Sequence, residues 1–192
     1  MASLALTASW GADVDSAGTK TPNDGGDGCG LFTGAIERVA NKWDITTLPT
    51  DATVTKVELT ITVQSGVVGT PTCDIDGYNN DGLADPEADS GATMYSQCAI
   101  SGIYVNDTTL FRTAGTKSLI DLGATAVSDV QAARAAGTRF SVAIRAIASD
   151  EGAGANVSTA FDEYTAASTK PTLTITYTPG AGASSPPMFR GV

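Results

Sequence analysis

The chain has 192 residues, 42% of them apolar and only 17% charged, which supplies a core and argues against disorder. Its formal net charge of −10 repels nucleic-acid phosphates and anionic membrane surfaces, and no apolar run approaches the roughly 20 residues of a bilayer-crossing helix. With no histidine in the chain, Ser-His-Asp and Cys-His catalytic systems and His-containing zinc sites are excluded.

The opening MASLALTASWGADVDSAG lacks a basic segment and reads as a strand over Ser3–Ser9, not as a secretory leader. Short strands are expected at Gly30–Ile36 and Val39–Ile45. The clearest strand is Thr53–Ser65, where Val57, Leu59, Ile61 and Val63 share one face while Lys56, Glu58, Thr60, Thr62 and Gln64 take the other. Side chains alternate across a strand, so this is a half-buried strand of an antiparallel sheet. Further short strands are expected at Thr72–Tyr78, Ser96–Ile100 and Lys117–Leu122.

Thr125–Gly137 breaks the alternation: Val127, Val130 and Ala133 fall at helical spacing between a Thr and a Gly, which predicts one short helix. Strands then resume over Arg139–Ser149, with Phe140, Val142 and Ile144 inward, over Ser158–Tyr164, and over Pro171–Pro179, with Leu173, Ile175 and Tyr177 inward. About ten short strands divided by Gly, Asp, Asn and Pro turns predict an all-β, antiparallel two-sheet sandwich or jelly roll. The domain is expected to cover residues 1–179, with 180–192 an extended Gly/Ser/Pro tail whose Met188, Phe189, Arg190 and Val192 form a patch suited to docking on a partner.

Two acidic clusters invite a calcium reading, because hard oxygen ligands at short spacing among glycines are what Ca²⁺ requires. The larger holds Asp74, Asp76, Asn79, Asp81, Asp85 and Glu87. Its register does not fit an EF-hand loop: with Gly82 as the invariant glycine, the first position falls on Gly77 and the last on Ala88. A solvated turn-rich connection is the plainer reading. In the second cluster Asp24 and Asp27, with Asp13 and Asp15 nearby, are read as ordinary Asp-Gly turn chemistry.

Cys29, Cys73 and Cys98 have no CxxC spacing, and are read as buried thiols or as a Cys73–Cys98 disulfide with Cys29 left over. A glycosidase reading would need a pair of carboxylates, for which Asp162 with Glu163, or the acidic loop, supplies candidates. Among the aromatics, Trp43 is expected in the core, and Trp10 is the better candidate for an exposed sugar-stacking ring.

In order along the chain, four stretches resemble DNRLRE-type β-sandwich modules of bacterial surface proteins and some secreted enzymes, which are akin to carbohydrate-binding jelly rolls. LALTASWGADVDSAG resembles the opening strand and its Asp-containing loop. ERVANKWDITTLPTDATVTKVELTITV, from Glu37, resembles the run of an Arg, an aromatic-Asp pair, Leu-Pro and a long strand. SLIDLGATAVSDVQAARAAGTRFSVAIRA resembles the strand, helix and strand that follow, and FDEYTAASTKPTLTITYTP, from Phe161, the closing hairpin. The resemblance spans about residues 3–178.

The resemblance implies a fold used for sugar binding, surface display, adhesion and virion structure. The expected function is therefore non-catalytic: a structural or interaction protein, foremost a phage capsid decoration protein at the virion surface. It would be homo-oligomeric and bound to the major capsid protein or other virion subunits. The alternatives are a carbohydrate-binding or adhesion module of a bacterial cell surface, with glycans as partners, and a subunit of an extracellular filament. No cofactor is required by these readings, calcium being the one candidate.

Overall fold

The computed structural model describes residues 1–22, 26–99 and 103–180. In chain order its elements are β1 (Ala2–Thr7), β2 (Trp10–Asp15), β3 (Lys20–Thr21), β4 (Asp27–Phe32), β5 (Ala35–Asp44), β6 (Thr53–Val63), β7 (Cys73–Gly77), α1 (Gly91–Gln97), β8 (Ile103–Thr108), β9 (Gly115–Asp121), α2 (Gly123–Ala135), β10 (Arg139–Ala146), α3 (Ala148–Glu151), β11 (Val157–Phe161) and β12 (Thr172–Thr178). The fold is mostly antiparallel β, joined by hydrogen bonds into one 12-stranded sheet. Its main path runs β1-β12-β6-β11-β4-β5-β10-β7-β8, with β9 beside β6, β2 beside β5, and β3 beside β2. The β6–β11 junction is a single residue pair, Phe161 opposite Val63.

The alternating strands behave as their pattern dictates. Val57, Leu59, Ile61 and Val63 of β6 are buried together with Leu173 and Ile175 of β12, Trp43 of β5, Phe140, Val142 and Ile144 of β10, and Phe161 of β11. The predicted helix forms as α2, which places Ala126, Val130 and Ala133 into this core against β6. Phe111 and Phe161 meet edge to face at a centroid distance of 4.9 Å, a favoured aromatic geometry.

A second buried cluster lies on the opposite face of β5 and β10, where Ala40 and Ala143 join Trp10, Ala12 and Val14 of β2 with Tyr78, Met94 and Cys98. Strand β10 is therefore covered on both faces. Its continuous burial from Phe140 to Ile144 follows from this arrangement, although the sequence there looks half-polar.

Three expectations are corrected. Residues 10–15, read as a loop after the first strand, form β2, which pairs with β5 from Trp10–Lys42 to Asp15–Glu37. The Gly30–Ile36 segment is divided by a tight turn at Thr33 and Gly34, both at positive φ, so that β4 and β5 form a hairpin. Ser96 and Gln97, expected in a strand, belong to α1, whose first turn is capped by Ser90 Oγ accepting from the Thr93 amide at 3.2 Å.

Candidate functional site

The acidic excursion after β7 was the strongest candidate from sequence, and the fold divides its residues into three groups. Asp74 and Asp76 lie on β7, in the antiparallel register that sets Arg145 of β10 opposite Asp74. Arg145 donates from Nη2 to Asp74 Oδ2 and from Nε to Asp76 Oδ2, each at 3.0 Å. Burial pushes the Asp76 carboxyl up to about 6 despite the pull of Arg145, and its Oδ1 has no hydrogen-bond partner among the described residues.

Asn79 and Asn80 adopt left-handed backbone, which Asn tolerates, and Asp81 Oδ1 accepts from the Leu83 amide at 3.0 Å in an Asx turn. Asp85 accepts from Lys42 Nζ at 3.1 Å and forms an ion pair with Arg139 Nε at 3.2 Å, and Glu87 pairs with the same Lys42. Asp89 accepts from the Tyr78 hydroxyl at 2.7 Å. The six predicted ligands thus do not converge on one point. Among the described residues, no group of three or more His, Cys, Asp or Glu side chains is spaced to hold a metal ion.

What the excursion does is cover the second cluster. Lys20 Nζ donates to the carbonyls of Pro86, Glu87 and Asp89 at 3.3, 2.9 and 2.7 Å, and lies 5.4 Å from the centre of the Trp10 ring. One ammonium thereby gathers three main-chain acceptors onto the sheet, a use of all three Lys donors. On the same side Arg38 forms a two-point fork with Glu151, Nε to Oε1 and Nη2 to Oε2 at 2.8 Å each. It also donates to the Tyr95 carbonyl at 2.9 Å, with its guanidinium 4.0 Å from the Tyr95 ring. These cations come from β3 and β5, far away in sequence, so spacing within the excursion gave no sign of them.

The other candidates are dispersed. Trp10 is 7% exposed and Trp43 fully buried, so neither indole offers a face for stacking. Asp162 follows β11 and uses its amide to bond Thr62 O, while the largely buried Glu163 accepts from Thr165 Oγ1 at 2.9 Å. Met188, Phe189, Arg190 and Val192 lie outside the described residues, as does Asp24. All three cysteines are free thiols. The clefts are open and shallow: one of 330 Å³ lies between Ser9, Lys42, Asp44 and Arg139, and another of 250 Å³ between Lys56, Asp121 and Val127. In the first, Asp44 is held below the usual carboxylate range by the Thr46 hydroxyl and amide, which suits a stable anion and not a proton donor.

No helix among the described residues is long and apolar enough to cross a membrane. No protein-family model matches the chain, and no curated protein matches it in sequence.

Proposed function

We propose that this chain is a non-catalytic structural protein that joins a larger assembly by lending its sheet edge to a neighbour. The observation that carries the reading is β1. Ala2–Thr7 pairs with β12 alone, over six consecutive positions without a bulge, and ends the sheet path among the described residues. Its sequence, ASLALT, has no charge and no proline, the usual devices that protect an edge from pairing with another strand. Such an edge is suited to strand addition by a second copy or a neighbouring subunit.

The setting we favour is a phage head surface, with the major capsid protein as partner, on a module of the DNRLRE type folded as a two-layer sandwich. The single-pair β6–β11 junction supports the two-layer form, because it lets the ladder fold over at that point. A glycan-binding role is less well supported, since Trp10 and Trp43 are withdrawn from the surface.

Ala5→Lys tests the reading, because Ala5 is exposed on the outer face of β1. Sedimentation of the full chain, alone and with capsids lacking it, should show self-association or capsid binding that this variant weakens at least ~10-fold, with an unchanged unfolding midpoint. Wild-type behaviour of the variant, or a monomer that binds no capsid at any concentration, would overturn it.

A further inference from the structure

The sequence places Asp13, Asp15 and Asp27 in one acidic neighbourhood, and the fold gives them unlike roles. Asp15 is a turn residue: its Oδ1 accepts from the Ala17 and Thr19 amides at 2.9 and 2.8 Å, which holds its carboxyl below the ordinary range. Asp13 is 6% exposed and Asp27 is fully buried, and turn chemistry requires neither burial.

Asp13 stands on β2 and Asp27 on β4, the two strands that flank β5. Asp13 Oδ2 accepts from the Gly28 amide at 2.9 Å, so the two carboxylates are joined through the residue after Asp27. Gly11 of β2 lies opposite Asn41 of β5, and its lack of a side chain makes room for the Asn41 side chain. A Cβ on Gly11 would collide with Asn41 Oδ1 and stand 3.5 Å from Asp27 Oδ2. Asn41 is 2% exposed, and its Oδ1 has no hydrogen-bond partner among the described residues. A buried amide oxygen is thus aimed at the same small space as a buried carboxylate oxygen, and one acceptor cannot satisfy another.

We propose that this joint binds a hard divalent cation of the calcium class, with Asp13, Asp27 and the amide oxygen of Asn41 as protein ligands. Two carboxylates and an amide carbonyl from three strands form the all-oxygen donor set that Ca²⁺ takes, and the ion would satisfy the Asn41 oxygen. The site lies on β2, β4 and β5 and is distinct from the excursion, which follows β7. The competing arrangement turns the Asn41 amide over, so that its NH₂ donates to Asp27 and no ion is needed.

Thermal unfolding of the full chain, stripped with a chelator, separates the two. Millimolar CaCl₂ should raise the midpoint by about 5 °C or more over NaCl of equal ionic strength, and more than MgCl₂ does. Calorimetric titration should give one site. Asp27→Asn should lose the calcium response. Should that variant fail to fold, Asn41→Asp decides: as a ligand it keeps or strengthens the response, whereas in the turned-amide arrangement it only destabilises and calcium does not rescue it. A wild-type midpoint indifferent to calcium, a larger response to Mg²⁺, or an unchanged response in Asp27→Asn would each overturn the proposal.

Discussion

Cys29 Sγ and Cys73 Sγ lie 4.0 Å apart in the main core, while Cys98 sits in the second cluster, its thiol directed at the Val39 carbonyl 3.8 Å away. The contact pair is thus Cys29 and Cys73, not the Cys73–Cys98 pair that sequence spacing brought forward. All three thiols are sealed from solvent; burial pushes Cys98 up to about 12, and Cys29 rises through its contact with Cys73 and through burial. A thiol-specific reagent should label none of them in the native protein at neutral pH and all three in urea. Fast labelling of any one under native conditions would contradict the core assignment.

The Arg38–Glu151 fork ties β5 to α3 with both side chains about nine-tenths buried. Glu151→Ala leaves the guanidinium buried without its carboxylate and should cost about 3–5 kcal/mol in urea unfolding, whereas Arg38→Met with Glu151→Leu should recover most of that loss. Equal stability of the single variant and wild type would show that the fork is ornamental.

Asp76 sets a pH dependence. Its folded value of about 6 lies above the ordinary 3.8, so the folded protein binds the proton more tightly than the unfolded chain. This group's contribution is therefore most favourable at acid pH and declines as pH rises from about 4 to 6, with no further change above. Asp76→Asn should flatten that limb by roughly 1–2 kcal/mol. Asp15 and Asp44 act oppositely: both are lowered, so their contribution is present above 3.8 and fades only in stronger acid. Superimposable stability–pH profiles for Asp76→Asn and wild type would refute the assignment.

Gly91 begins α1 against the turn before β3. A Cβ there would overlap the Gly18 carbonyl, with the carbonyl carbon only 2.7 Å away, and main chain cannot yield as a flexible side chain can. Gly91→Ala should destabilise the protein by about 1–3 kcal/mol, although alanine is the better helix former. A stabilised variant would mean that propensity outweighs the contact.

How much of this was legible in the sequence follows from which forces are local. The alternation of Val57, Leu59, Ile61 and Val63 specified β6, and the spacing of Val130 and Ala133 specified α2, because one buried face suffices to write either pattern. β2 was illegible because Trp10, Ala12 and Val14 are buried on one face while Asp13 is sunk in the other, so its polar positions imitated a loop. α1 holds Gly, Thr, Tyr and Ser, weak helix formers that depend on the Ser90 cap and on Met94 packing beside Tyr78. The excursion looked solvated because Lys20, Lys42 and Arg145, which engage its acids and carbonyls, stand on strands that only the fold brings near.

Strand β10, covered on both sides, has almost no outer surface. Phe140, Val142 and Ile144 fill one layer, Ser141 and Ala143 are small enough for the other to close over them, and Arg145 is committed to two carboxylates. Nearly every position from 140 to 146 is therefore constrained in volume or charge. Sequence drift in this protein should accordingly concentrate on strands with a free face, leaving β10 as the segment by which distant relatives remain recognisable.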